Sequence, residues 1–294
     1  MTTTVRFATA VGFTAVLMWA FLALFSTIAS NIPPFQLAAM SFFIGGIMGV
    51  ATWVFRPGAF HTLFEQDWRL WVLGITSLFG YHLVYFTAIR NAPPVEVSLI
   101  AYLWPLFLVI FSAFLPGEKL RLHHMAGVIL GLAGAALVIS RGHGLTLADG
   151  VKLGHLLAIP CALIWSGYSV LARRFGQVPT DVVTGFCLGA ALLSCICHFL
   201  FETTVWPQGG LQWGAVAGLG MFPLGLAFYT WDYGLKHGDI MVLGALSYAA
   251  PLLSTLVLLG FGFTQYHWSI AVACALITGG AVIAAKDMTM RKTR

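Results

Sequence analysis

A chain of 294 residues that is 59% hydrophobic and only 9% charged has too little polar sequence to coat a water-soluble surface. Its mean hydropathy of +0.89 places it among integral membrane proteins. The net charge of +5 resides at the ends of apolar segments, where topology explains it, so nucleic acid is excluded as a partner.

Ten apolar segments follow one another, near 7–28, 35–55, 69–90, 95–115, 122–140, 151–173, 180–200, 211–235, 239–262 and 267–285. Each is long enough to cross a hydrocarbon core of roughly 30 Å at about 1.5 Å per residue. The first lacks a small-residue cleavage site and leads at once into a second span, so it is expected to be a retained helix rather than a signal peptide. It carries Trp19 at mid-depth. Tryptophan normally gathers at the membrane interfaces, so a central one asks for a polar cavity or an internal partner. Cavity lining and ordinary helix packing are the two readings.

The second segment contains Gly45-x-x-x-Gly49, a spacing that lets helices approach closely; Gly127-x-x-x-Gly131 and Gly214-x-x-x-Gly218 repeat it later. Packing within one protomer is the expectation, and the chain is expected to work as a monomer. In the third segment Tyr81, His82 and Tyr85 share one helix face at mid-membrane. An ionisable group there is costly and faces protein or water. His82 is read either as a contact for a substrate carboxylate or proton, or as a neutral histidine bonded to a neighbouring helix.

The fourth segment holds Tyr102-Leu103-Trp104-Pro105. Tyr102 and Trp104 lie about 200° apart on a regular helix, so both face a cavity only if Pro105 distorts the turn. Pro105 cannot donate to the carbonyl of Ala101, and Pro251 in the ninth segment likewise spares Ser247. Two open carbonyls are therefore expected at mid-membrane, where they and aromatic faces could hold an ammonium group. Pro160 in the sixth segment and Pro223 in the eighth are candidate hinges. Asp232, four residues before Lys236 near the end of the eighth, is expected to form a solvated ion pair at a helix end.

No metal or cofactor is expected. Adjacent His123 and His124 point about 100° apart and cannot chelate one ion alone. Cys161, Cys187, Cys195, Cys197 and Cys274 all fall in apolar spans without metal or disulfide spacing and read as small buried hydrophobes.

Placing the N-terminus in the cytoplasm puts Arg6, Arg56, Arg69, Lys119, Arg121, Arg173, Arg174, Lys236, Lys286, Arg291, Lys292 and Arg294 inside. Only Arg90, Arg141 and Lys152 then lie outside. This bias fits ten spans with both termini cytoplasmic, as in a bacterial inner membrane. Sliding the chain by 146 residues sets Trp19 on Trp165, Pro33 on Pro179, Tyr102 on Tyr248, Pro105 on Pro251 and Gly134 on Gly280. A repeat of five spans must enter the membrane from the opposite side in its second copy. The expected architecture is an all-α polytopic protein of two inverted five-helix repeats, 1–146 and 147–294, forming one transport unit.

Gly117-Glu118-Lys119-Leu120, continuing to Gly127, Gly131 and Gly134, resembles the fifth-helix motif of the ten-helix EamA-type branch of the drug/metabolite transporter superfamily. Tyr102-Leu103-Trp104-Pro105, Ile164-Trp165-Ser166-Gly167-Tyr168 and Ser247-Tyr248-Ala249-Ala250-Pro251 are similar to segments of its YddG-type aromatic amino acid exporters. One departure is Thr264, which stands where the first repeat has Glu118. The resemblance implies export of aromatic and other neutral amino acids from a central cavity. Trp19, Tyr81, His82, Tyr85, Ala101, Tyr102, Trp104, Trp165, Ser247 and Tyr248 are the candidate substrate contacts. A phosphate-bearing substrate would need cations at mid-membrane, and none is present there. No P-loop occurs, so energy must come from gradients. A multidrug or other metabolite exporter is the nearest alternative, and a channel or membrane-embedded enzyme the alternative from another class.

Overall fold

The computed structural model describes residues 3–56, 58–140 and 151–284. Arg141, Lys286, Arg291, Lys292 and Arg294, all counted for orientation, lie outside the described residues. The described chain is all-helical: α1 (Thr3–Trp19), α2 (Leu22–Ile28), α3 (Pro34–Trp53), α4 (Ala59–Phe64), α5 (Trp68–Asn91), α6 (Pro94–Ala101), α7 (Trp104–Ser112), α8 (Leu122–Ile139), α9 (Leu153–Arg174) and α10 (Val182–Phe201). There follow α11 (Gly209–Met221), a π-helical turn (Phe222–Leu226), α12 (Ala227–His237), α13 (Ile240–Leu246), α14 (Ala249–Gly260) and α15 (Trp268–Ala284). Eight helical stretches are long and apolar enough to cross a membrane, and two shorter apolar ones, Glu96–Ser112 and Trp268–Ala284, accompany them.

Three of these stretches are broken at mid-length by a turn: at Ala20-Phe21, Tyr102-Leu103 and Ser247-Tyr248. Proline explains the latter two. Pro105 sits in the first turn of α7, where its missing N–H costs nothing, and thereby ends the preceding helix. In the ninth segment the sequence predicts a free Ser247 carbonyl, and the structure corrects this. The turn tightens, and the Ala250 N–H donates to Ser247 O at 3.1 Å. Pro223 lies in the π-turn, whereas Pro160 is carried inside α9 without a break.

Four helix pairs make the most extensive contacts: α3 with α10, α8 with α15, α5 with α9, and α1 with α12. Apolar side chains such as Phe43, Leu192, Phe199 and Val282 cover the outside, as hydrocarbon requires. Glu202 reaches back from the end of α10 to accept the Phe35 and Gln36 N–H groups, each at 3.0 Å, satisfying the first turn of α3.

Glycine sets the closest approaches. A Cβ on Gly127 would come within 2.5 Å of Gly280 O, and one on Gly280 within 2.6 Å of Gly127 O. Gly45 meets Gly225 and Gly131 meets Tyr248, so two of the three spaced glycine pairs pack inside the chain. Gly214 departs from the pattern and faces open space. Gly127→Val and Gly280→Val are each expected to destabilise by about 1–3 kcal/mol, because backbone atoms cannot move aside. Thermal unfolding in detergent should show lowered midpoints for both and an unchanged one for Gly214→Val.

Candidate functional site

Two of the helix breaks, at Ala20-Phe21 and Tyr102-Leu103, and the π-turn meet at a cluster of four indoles. Trp19 closes α1, Trp104 opens α7, and Trp165 and Trp231 project from α9 and α12. Trp19 lies at the centre, with ring centroids 6.3 Å from Trp104, 5.8 Å from Trp165 and 5.2 Å from Trp231. Trp104 also meets Trp165 at 6.3 Å and Trp231 at 5.7 Å, both edge to face. Phe228 completes the group at 5.6 Å from Trp165. These separations fall in the attractive range for aromatic pairs, worth about 0.5–1.5 kcal/mol each beyond area burial. The Trp19 indole N–H donates to Pro223 O at 3.1 Å, and that of Trp231 to Ser169 Oγ at 3.2 Å.

Against this cluster stands a second aromatic group from α5 and the α6–α7 turn. Tyr81 and Tyr85 stack with centroids 5.9 Å apart and planes 5° from parallel. Tyr81 touches Trp165 at 6.1 Å, and the Tyr85 hydroxyl bonds Ser98 Oγ at 3.1 Å. The His82 ring is caged by Phe42 at 5.1 Å, Tyr81 at 5.4 Å and Phe86 at 5.9 Å. Its Nδ1 lies 2.7 Å from Leu78 O. A carbonyl only accepts, so Nδ1 carries the hydrogen and neutral His82 keeps an acceptor lone pair on Nε2.

Tyr81, His82 and Tyr102 are each only partly exposed, and the rings of Tyr81 and His82 lie against Trp165, Phe42 and Phe86. The neighbours that Tyr81, His82 and Tyr85 meet, which are one another, Phe42, Phe86, Trp165 and Ser98, are all uncharged side chains.

The remaining sequence candidates lie elsewhere in this conformation. Ala101 is buried, and Ser247 is fully buried with its hydroxyl donating to Leu243 O at 2.7 Å. Tyr248 is fully buried and packs against Gly131 of α8. Sequence reasoning missed Trp231, Phe228 and Phe42. A signal for Trp231 existed, since the 146-residue shift sets it on Tyr85. Among the described residues no cluster of His, Cys, Asp or Glu could hold a metal ion.

The EamA-like transporter family matches this chain twice, over residues 6–140 and 152–285. The chain belongs to that family. It is 53% identical over 278 residues to the aromatic amino acid exporter YddG of Ancylobacter novellus, an alignment covering 94% of this chain and 96% of that protein. It is 23% identical over 295 residues to the exporter of the same name in Escherichia coli, covering 94% and 96%. The Escherichia coli biotin transporter is 27% identical over 222 residues, covering 75% and 73%. A solved crystal structure 50% identical to this chain superposes with a TM-score of 0.90 over 97% of it and 99% of that chain. EamA membership makes the chain a membrane transporter rather than an enzyme.

Beneath Trp231 this EamA-like protein buries a charge pair that overturns the expectation of a solvated one. Lys236 Nζ lies 2.7 Å from Asp232 Oδ2, with both side chains only 2% exposed. Thr180 donates to the same carboxylate at 2.8 Å, and Lys236 donates to Val178 O at 3.1 Å. The loop between α9 and α10 folds over the end of α12, which covers a pair that helix position alone would leave wet. Breaking a buried pair leaves an uncompensated charge, so Asp232→Ala is expected to cost about 3–5 kcal/mol. Asp232→Ala with Lys236→Met should recover most of that loss, which thermal unfolding of the three variants would check.

Proposed function

We propose that this transporter exports aromatic and other neutral amino acids by alternating access, holding the substrate in the chamber walled by Tyr81, His82, Tyr85 and Tyr102 and floored by Trp104 and Trp165. The observation that carries this reading is the 53% identity, over nearly the whole chain, to a protein named as an aromatic amino acid exporter. The chamber's chemistry supports it. An amino acid brings one ammonium and one carboxylate, with no net charge. His82 Nε2 offers an acceptor, and the tyrosine rings offer cation–π faces to the ammonium. The indole N–H groups of Trp104 and Trp165 and the hydroxyls of Tyr81 and Tyr102 offer neutral donors to the carboxylate. An apolar or aromatic side chain then lies against the indoles.

The same proposal includes ten spans in two inverted repeats, 1–146 and 147–294, with cytoplasmic termini and a monomeric working unit. Pseudo-twofold pairing supports the inversion. Arg56 at the end of α3 pairs with Asp181 before α10 at 2.7 Å. Shifted by 146 residues these become Glu202, at the end of α10, and Phe35, whose N–H Glu202 accepts at the opposite end. The α1–α12 and α5–α9 pairs likewise exchange under the shift. The excess of lysine and arginine at the Arg56 end supports its cytoplasmic placement.

The test is uptake of labelled phenylalanine, threonine and a lipophilic cation into liposomes carrying the purified protein. Saturable transport of phenylalanine, stimulated by unlabelled substrate on the far side, is the expected result. Transport of the cation alone would overturn the proposal. Tyr102→Phe removes one neutral donor without changing shape and is expected to weaken half-saturation about fivefold, the worth of one hydrogen bond. His82→Ala should weaken it further.

A further inference from the structure

Two groups of helices flank the chamber: α5, α6–α7 and α9 on one side, and α1–α2, α11–α12 and α13–α14 on the other. At the Arg56 end these groups pack directly, α7 on α13 and α9 on α12. Gly244 permits the first contact, since a Cβ there would fall within 2.6 Å of Val109 Cγ2. At the other end the counterparts α6 and α14 make no comparable contact among the described residues. The two groups are packed together more closely at the Arg56 end.

Arg173, in the last turn of α9, bridges the two groups where they pack more closely. Its Nη1 donates to Leu235 O at 2.6 Å and Gly238 O at 2.7 Å, the spare carbonyls closing α12. Such carbonyls have no partner within their helix and carry the negative end of its dipole. The Nη2 donates to Glu118 Oε1 at 2.7 Å. Glu118 reaches this point because Gly117, with φ of +83°, turns the chain in a conformation that favours glycine. The planar guanidinium is thus held by three acceptors at once, a geometry an ammonium cannot reproduce. Shifting the trio by 146 residues gives Thr264 for Glu118 and an exposed Thr27 for Arg173. The clamp has no counterpart at the other end.

We propose that Arg173, aimed by Glu118, is the clamp that holds the Arg56 end shut and must release once in each transport cycle. This rests on the alternating-access reading. Glu118 and Arg173 are positioning residues, since neither touches the chamber. The single acidic position of the family motif thereby acquires a role: one end of a pseudosymmetric carrier is made harder to open than the other, and the balance between its two states is tilted.

Hydrogen–deuterium exchange of the intact wild-type and variant proteins in liposomes tests this. Glu118→Gln and Arg173→Gln are expected to speed exchange of the α13 amides, Ile240–Leu246, by about tenfold, the worth of a charged hydrogen bond. Exchange over α6, Pro94–Ala101, should slow as the open end closes, and the α8–α15 pair should stay as in the wild type. General loosening would instead speed all three regions, and would overturn the clamp. The exchanged pair Glu118→Arg with Arg173→Glu is a second arm. A carboxylate cannot donate to Leu235 and Gly238, so the swap should leave α13 exchange fast; restoration to the wild-type rate would reduce the trio to a plain ion pair and overturn the proposal. Unchanged exchange in Glu118→Gln overturns it also. Exchange is read without substrate, so failure to transport phenylalanine with the reciprocal pattern intact would count against the substrate and not the clamp.

Discussion

The hydrogen bond from the Trp19 indole to the Pro223 carbonyl joins the two elements on which the interior depends. A carbonyl without a donor in an apolar interior costs several kcal/mol, on the order of a lost hydrogen bond or more. The π-turn at Phe222–Leu226 opens the regular helical ladder around Pro223, and Trp19, 204 residues away, donates to the Pro223 carbonyl there. Fixed at its nitrogen, the Trp19 ring becomes the hub against which Trp104 and Trp165 lie edge-on and Trp231 lies tilted. Remove that anchor and three broken helices lose their common reference point. π-turns gather at functional sites for this reason: they present backbone groups that something else must meet.

The indole cluster also divides the molecule into unlike halves. On the side of Asp232, packing is dense, with Trp231, Leu235, Ile240, Met241 and Leu243 essentially without exposed surface. On the side of Tyr85, the walls stay accessible. On the proposed reading of two inverted repeats, this difference belongs to one state of the transport cycle. Half-helices α7 and α13 meet while α6 and α14 make no comparable contact among the described residues, and the turns between them, at Tyr102-Leu103 and Ser247-Tyr248, are where a rocking motion would act. On the proposed reading, the α3–α10 and α8–α15 pairs, held by glycine contacts and by the Glu202 and Arg56 links, would provide the surfaces against which the two groups move.

The helical class and the position of the apolar segments were legible in the sequence because hydrocarbon allows few alternatives: long apolar runs with charges confined to their ends have one reading. Trp19, Tyr81, His82, Tyr85, Tyr102, Trp104 and Trp165 come together as depth along the helices suggests. Other features depended on tertiary contacts that no period reveals. Tyr248 has the same depth and motif as Tyr102, yet it is fully buried against Gly131 of α8, a contact between helices that no period reveals. Asp232 and Lys236 look like a helix-end pair until the Val178–Thr180 loop is seen to cover them. The Ser247 carbonyl was expected to be free on the assumption of a regular helix, and a tightened turn removes that assumption.

Electrical neutrality links the chamber to the ends of the molecule. Among the described residues the ion pairs lie toward one end or the other, and Asp232 with Lys236, both side chains only 2% exposed, cancels within 2.7 Å. Tyr81, Tyr85 and Tyr102 are therefore left in a region governed by dipoles, hydroxyls and rings. On the proposed reading this matters more for release than for binding. A buried arginine would hold a carboxylate through charge-assisted bonds roughly twice as strong as neutral ones, and an exporter must let its cargo go. Neutral donors of the tyrosine and indole kind orient a zwitterion without trapping it, and they give a reason for spending tyrosine and tryptophan at mid-membrane, where lysine and arginine are missing.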